Sequence, residues 1–398
     1  MKPGTLKLCL PIMAMTAQQT AASLVIPPFL DDLHFPISAI GTLISVAPFL
    51  ALTARLPAGM IYQAHRARAL MLASLSVLSL STLLYIFVST PLHFALVQAA
   101  NGFSFGIATT IYLAFFVDAL PPDEERHHAM GYYAGSLATG YSAGGFAAGY
   151  VADRLGYIAT FKFGALLGLL GLSMFFFMGK APSQTHGDPH KATGAIPSFW
   201  KSLRSIWDPK IASVVVVALF LNMLHQIGST FLPLYGLAVG LTLTEVGVIR
   251  GIYSLCNAIT RPLSGPVVKR LGHQMLSHAG LPIQSAFIML VPMFHHFVPL
   301  LVVFVFAGFL RALVIVSNVI SMVEDVDARR VSRGVVSGIY NAAQDVGNIL
   351  GPSVGGLIAS LVGVAKLFLA GPLIIVALLF LSLWSCRYVK PSIRSGHS

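Results

Sequence analysis

A rhythm of long apolar runs dominates this sequence. Twelve can be marked, at 7–30, 37–60, 69–88, 94–117, 130–152, 161–180, 211–235, 245–267, 276–297, 298–323, 334–361 and 366–389. A helix rises about 1.5 Å per residue, so roughly 20 apolar residues cross the hydrocarbon core of a bilayer. Backbone N–H and C=O groups find no water there, and a helix satisfies them within itself. The runs therefore predict an all-α membrane protein with twelve transmembrane helices. Charge agrees: only 10% of the 398 residues are Asp, Glu, Lys or Arg. Soluble domains carry about a quarter, so this chain has too few charges to cover a water-facing surface.

The net charge of +11 would point to nucleic acid in a soluble protein. Here the basic residues sit in short loops between apolar runs, so they report topology and no nucleic-acid partner is expected. With the N-terminus placed in the cytoplasm, 18 of the 25 Lys and Arg residues fall on cytoplasmic segments. Four (Arg154, Lys162, Arg250 and Lys366) fall on the other side, and Arg55, Arg261 and Arg311 fall within helices. This bias predicts a multi-pass protein of a bacterial inner (cytoplasmic) membrane with both termini inside. Lys2, Lys7 and the apolar stretch up to Ser23 have signal-peptide character. A counterpart later in the chain makes the segment part of the fold instead. Cys9, Cys256 and Cys386 form no disulfide framework or metal spacing and read as packing residues.

The longest polar segment, 181–210, separates two six-run halves, 1–180 and 211–398. Within it Phe199, Trp200, Leu203, Ile206 and Trp207 recur at helical spacing around Lys201 and Arg204. That pattern predicts a short amphipathic helix on the inner leaflet, or a tether with aromatics at headgroup level.

The halves repeat one another. When 131–171 is moved 207 positions onto 338–378, six glycines coincide: 131/338, 140/347, 144/351, 149/356, 156/363 and 164/371. About two coincidences are expected by chance for these compositions. Phe161 meets Phe368 in the same frame. Arg55-Leu56-Pro57-Ala58-Gly59 meets Arg261-Pro262-Leu263-Ser264-Gly265 at a shift of 206, and Gln18-Gln19 meets His225-Gln226 at 207. Six helices per half is an even number, so both halves cross the membrane in the same sense. Such parallel repeats place a solute site near the midplane between them.

The six-plus-six plan resembles the major facilitator superfamily over essentially the whole chain. Gly338-x8-Gly347-x3-Gly351-Pro352-x2-Gly355-Gly356 in the eleventh run looks like the family's antiporter glycine motif. The fifth run carries an eroded copy, Gly131-x8-Gly140-x3-Gly144-Gly145-x2-Ala148-Gly149. Small residues let helices approach closely in lipid, so Gly140, Gly144, Gly149, Gly347, Gly351, Pro352, Gly355 and Gly356 are expected to form a tight, movable seam between the halves. The family's charged loop after the second helix is also eroded. Gly59-x3-Gln63-Ala64-His65-Arg66-Ala67-Arg68 lacks its acid, and the second copy reads Gly265-x3-Lys269-Arg270-Leu271-Gly272. Arg55 and Arg261 remain at inner helix ends as gating candidates, able to pair with Asp123-Glu124-Glu125 and Glu324-Asp325. Gln98 stands where proton-coupled drug exporters of the family carry an arginine.

Charge inside a membrane costs several kcal/mol and demands a reason. Arg311 and Asp345 both fall near the midplane by helical rise. They are expected to face the cavity and to pair, with protonation of Asp345 freeing Arg311 for an anionic solute. The resemblance implies that runs one, four, seven and ten line the cavity, which adds Gln18, Gln19, Asn101, Tyr112, Asn222, His225, Gln226 and Asn318. Tyr340, Asn341 and Gln344 of the eleventh run join them. The neighbours in the pairs His127-His128 and His295-His296 point apart on a helix rather than sharing one face, so no metal is expected. No cofactor is expected, and there is no phosphate loop, GxSxG or HExxH sequence.

The resemblance implies a monomeric, non-enzymatic secondary transporter working by alternating access. The leading expectation is proton-coupled efflux, as an antiporter, of a drug-like compound, metabolite or siderophore. The alternatives are an importer of an organic anion or sugar, and a non-transporting sensor or assembly factor on the same fold.

Overall fold

A computed structural model describes residues 3–120, 126–178, 209–329 and 333–388. Its helices are α1 (Pro3–Asp32), α2 (Ile37–Ile44), α3 (Val46–Ile61), α4 (Ala64–Leu84), α5 (Pro91–Asp118), α6 (Arg126–Phe177) and α7 (Pro209–Ala238), followed by α8 (Leu243–Leu263), α9 (Gly265–Leu271), α10 (His273–Met289), α11 (Phe297–Arg329), α12 (Arg333–Val362) and α13 (Val364–Tyr388). The amphipathic helix expected in the central loop lies outside the described residues.

Length and apolarity alone mark ten membrane-crossing segments among the described residues. One of them, Ala129–Phe177, runs for 49 residues and breaks at Gly156, so it crosses twice. Leu243–Leu263 makes the twelfth crossing. It is long enough but carries Glu245, Arg250 and Arg261, which dilute its apolarity. The fold is thus two sets of six membrane-crossing helices, with α2 and α3 forming a single span interrupted at Ser45.

The repeat is visible in the turns. Gly156 (φ 81°) and Gly363 (φ 88°) share the left-handed conformation that lets one span turn directly into the next, and they are partners at the 207 shift. His34 (φ 59°) and Gly240 (φ 86°) are partners at 206 and play the same part after the first span of each half. Packing repeats as well. In the first half α1 lies on α6, and α3 on α5. In the second, α7 lies on α12, and α8 on α11. The two halves meet along two seams, α2–α3 against α12 and α6 against α8.

The face on which α1 begins is called here the N-terminal face. The opposite, far face is closed by backbone contact across both seams. A Cβ on Gly41 would sit 2.2 Å from the Pro352 carbonyl, and one on Gly356 would sit 3.0 Å from Gly41 Cα. Across the other seam, a Cβ on Gly247 would lie 2.4 Å from the Gly145 carbonyl, and one on Gly149 would lie 2.5 Å from that of Leu243. Gly41/Gly247 and Gly149/Gly356 are themselves repeat partners, so one close-packed device is used twice. Ser45 Oγ donates to the Ile349 carbonyl (2.6 Å) and accepts from Ser353 Oγ (2.7 Å). Asp153, just before the Gly156 break in α6, accepts from the Leu243 and Thr244 amides (2.7 and 2.6 Å), satisfying the open N–H groups at the start of α8.

The glycine motif therefore divides differently from the expectation. Gly140 and Gly144 press on α1 at Met13, Thr16 and Ala17, and Gly347 and Gly351 press on α7 at Leu219, Met223 and Gln226. Gly355 meets Ile227 and Phe231. These contacts lie within one half. Gly145, Gly149, Pro352 and Gly356 of the two motif copies instead meet the other half. Helical glycines one turn apart lie on one face, but the 100° step between Gly355 and Gly356 is enough to send one inward and one across.

The eroded loop after α3 is held within the first half. Tyr62 OH donates to Asp118, and Arg68 Nη2 donates to the Phe176 carbonyl (2.6 Å). Burial, with the Asp118 contact adding to it, raises the Tyr62 hydroxyl well above the ordinary tyrosine range. Gly59 and Gly265 have open space around them.

Candidate functional site

Between the halves lies a cavity of about 910 Å³. Its residues run from Gly131, Arg55, Arg261 and Pro262, near the N-terminal-face ends of α6, α3 and α8, to Ile26, Ile288 and Phe304 deep in the bundle. With the far face sealed, the cavity is accessible from the N-terminal face.

Asp345 is the one carboxylate among the residues lining it, and it pairs with Arg55. This corrects the expected Arg311–Asp345 pair. Asp345 lies on α12 and Arg55 on α3, so the ion pair ties the halves together across a seam. Arg55 was expected to reach the acidic loop at 123–125, which lies outside the described residues; its partner is Asp345. Arg261 Nε donates to Asn257 Oδ1 one turn back (3.3 Å); of the expected acids, Glu324 pairs with His273 (3.1 Å), and the Asp325 side chain lies outside the described residues.

Arg311 also lines the cavity but answers to α7. It donates to the Leu221 carbonyl and to Asn222 Oδ1, both at 2.8 Å. Asn222 is oriented in turn by donating to the Ala218 carbonyl (2.9 Å). These acceptors are neutral, so they fix the guanidinium without cancelling its charge. His225 stacks on Tyr253 (ring centroids 5.4 Å apart) with Nδ1 3.2 Å from the tyrosine hydroxyl. It lies within electrostatic reach of Arg311, Arg250 and Arg261.

Sequence reasoning placed Arg250 on the outer side, and this too is corrected. Arg250 lies two turns inside α8, lines the cavity and donates from Nη2 to Ser23 Oγ of α1 (3.1 Å). The signal was present. Arg250, Tyr253, Ser254, Asn257 and Arg261 follow the three- and four-residue steps of one helical face, and all five line the cavity.

The amide pairs separate. Gln19 and Gln226 line the cavity, with Gln19 Nε2 donating to Asn101 Oδ1 (3.3 Å) and Gln226 Oε1 accepting from Ser229 (2.8 Å). Gln18 turns the other way into the first half, donating to the Leu78 carbonyl and Thr82 Oγ1. Tyr112 is buried there too, donating to the Leu8 carbonyl. Asn318, which is fully buried, bonds Ser277 and the Val214 carbonyl. Tyr340 packs with Val214 and Ala218. Gln18, Tyr112, Asn318, Tyr340, Asn341 and Gln344 are absent from the cavity lining, whereas Asn101, Asn222 and His225 belong to it. Gln98 lines it as well, accepting from Tyr85 and donating to the Ile44 carbonyl (3.2 Å). The side chains of His127 and His128 lie outside the described residues, and no cluster of metal-ligating side chains occurs among the described ones.

The Major Facilitator Superfamily model matches residues 8–330 and, in a second register, 236–396. The chain belongs to that superfamily. Its members are transporters, and this chain is accordingly a non-enzymatic transporter. Among curated relatives, an uncharacterised MFS-type transporter of Methanocaldococcus jannaschii is 21% identical over 79% of this chain and 80% of its own length. The synaptic vesicular amine transporter of Mus musculus is 24% identical over 74% of this chain and 56% of its own. The quinolone resistance protein NorA of Staphylococcus aureus is 28% identical over 42% of each. Among solved structures, the nucleoside transporter NupG aligns over 98% of this chain and 99% of its own at TM-score 0.78 and 13% identity. An inward-facing bacterial homologue of the lysosomal transporter Spinster aligns over 99% and 100% at TM-score 0.77 and 16% identity. At those identities the structures speak for the fold alone.

Proposed function

We propose that this superfamily member is a proton-coupled exporter of a small organic solute. It works by alternating access in a bacterial cytoplasmic membrane, with both termini inside. The observation that carries the coupling is the seam pair. Asp345 is the lone acid of the cavity lining, and its partner Arg55 belongs to the other half. Breaking a fully buried ion pair costs about 3–5 kcal/mol, whereas an exposed pair contributes about 1 kcal/mol or less. The Arg55 side chain is 36% exposed and that of Asp345 9%, so the pair lies between these limits and suits a latch that opens in each cycle. A proton reaching Asp345 removes the carboxylate charge, releases Arg55 and loosens α3 from α12. The N-terminal-face opening of the cavity and the stretch shared with a quinolone resistance protein support loading from the cytoplasm and outward transport.

The test is a solute-library transport assay in proteoliposomes of the full chain, with an imposed pH gradient and Asp345→Asn alongside. Gradient-driven extrusion by the wild type and its loss in the variant are expected. Equal gradient-driven transport by the variant sinks the coupling role. Gradient-driven uptake in place of extrusion replaces the exporter with an importer.

A further inference from the structure

The closed end of the cavity carries a cation that nothing among the described residues neutralises. Four arginines line the cavity, Arg55, Arg250, Arg261 and Arg311, against the single carboxylate of Asp345. Arg55 and Asp345 cancel. Arg311 and Arg261 rest on neutral acceptors. Arg250 is the least satisfied. Its Nη2 reaches one hydroxyl, Ser23 Oγ, and its Nη1 is buried with no acceptor among the described residues. An unmatched buried donor costs about 1–3 kcal/mol, and more when it is charged. Three guanidiniums with no carboxylate partner among the described residues line one cavity and repel one another.

We infer that Arg250 seats the solute and that the solute is an organic anion with an apolar body, of the aromatic or aliphatic carboxylate class. The inference rests on the reading of this cavity as the solute path. A carboxylate presents two acceptor oxygens to the guanidinium fork. It satisfies Nη1 and displaces Ser23 from Nη2. The apolar body then lies against Ile26, Ile288 and Phe304 at the same end of the cavity. A volume of about 910 Å³ takes solutes up to the size of ordinary drug molecules. Cationic solutes meet three unmatched positive charges, so the same wall rejects them.

The seat has a mechanical consequence. Ser23 belongs to α1 and Arg250 to α8, so their bond joins the halves close to the sealed far face. An anion on Arg250 exchanges that bond for one to the solute. Loading thereby removes one of the bonds that hold the far face shut.

The test uses the purified full chain and matched probes: naphthoate and phenylbutyrate, their uncharged amides, and naphthylmethylamine. Binding is read by calorimetry and by thermal stability. The acids are expected to bind saturably and raise Tm, more weakly as salt rises, while the amides and the amine do neither. Arg250→Gln should weaken acid binding about tenfold or more, and Arg250→Lys should keep part of it. Amides binding as tightly as acids, unchanged acid affinity in Arg250→Gln, or no saturable binding of either acid by the wild type overturns the inference. The comparison of acid with amide is made on the wild type, so it stands even if a variant misfolds. Acid binding through Arg250 in a protein that moves no solute across proteoliposomes sinks the transport reading and leaves the anion seat standing. Transport with no preference for acids does the reverse.

Discussion

Asp345 and Arg55 show how much a single side chain can decide in this protein. They lie 290 positions apart, so their pairing is invisible to local pattern, and helical rise gives a residue's depth but not its rotation about the helix axis. That is why Arg311 and Asp345 look like partners in the sequence, being two charges at one depth. In the structure they sit on different walls. The same limit explains Gln18, which shares a depth with Gln19 but faces Leu78 and Thr82 inside the first half. Because the seam pair is one cation against one carboxylate, reversing it should conserve its chemistry. Arg55→Asp and Asp345→Arg are each expected to cut gradient-driven transport at least tenfold. The double variant should recover a measurable part of it, while the solute affinity of each variant is followed separately. A double variant no better than the product of the two singles would show that the charges act independently.

Elements were easier to foresee than side chains. Twelve runs, the six-plus-six division and the recurring turn at Gly156 and Gly363 are legible because bilayer thickness fixes run length and because left-handed backbone favours glycine. The seam is less legible. Gly41 and Gly247 coincide at the 206 shift that relates Arg55 to Arg261, but a lone glycine in an apolar run carries no mark of what it touches. The structure sorts the glycines into two mechanical classes, and one experiment separates them. Gly41→Val places side-chain carbon against the Pro352 carbonyl, between halves. Gly140→Val places it against Thr16 and Met13, within one half. The first is expected to pry the far face open, lengthening the distance between spin labels at Ser38 and Leu361 by several ångströms, with a small change in Tm. The second should cost about 1–3 kcal/mol of stability, as is typical of overpacking, read as a lower Tm, and leave that distance alone. Opening of the far face by Gly140→Val, or none by Gly41→Val, would contradict the division.

For the molecule as a whole, the departures from the twofold repeat carry the functional information. The repeat maps Arg55 onto Arg261, and Asp345 onto Ala138. One seam therefore has an ion pair, and the matching place on the other has an arginine facing the cavity with no acid opposite. Symmetry alone would have built two latches. Omitting one leaves Arg261 at the mouth without a carboxylate partner among the described residues and makes the α3–α12 seam the only one of the two bridged by an ion pair among them. Restoring the missing acid should reverse both effects. Ala138→Asp, on the cavity side of α6, is expected to pair with Arg261 and tie α6 to α8 as α12 is tied to α3. Two outcomes follow from one substitution. Affinity for organic acids should fall, because one of three unmatched positive charges is cancelled, and turnover should slow, because two bridges must open in each cycle. Adding Arg261→Gln to Ala138→Asp removes the new bridge, so turnover should rise again while acid affinity stays low. If turnover instead remains slow in the double variant, the added carboxylate acts through the space it fills, and the missing latch is not what sets the pace of rocking.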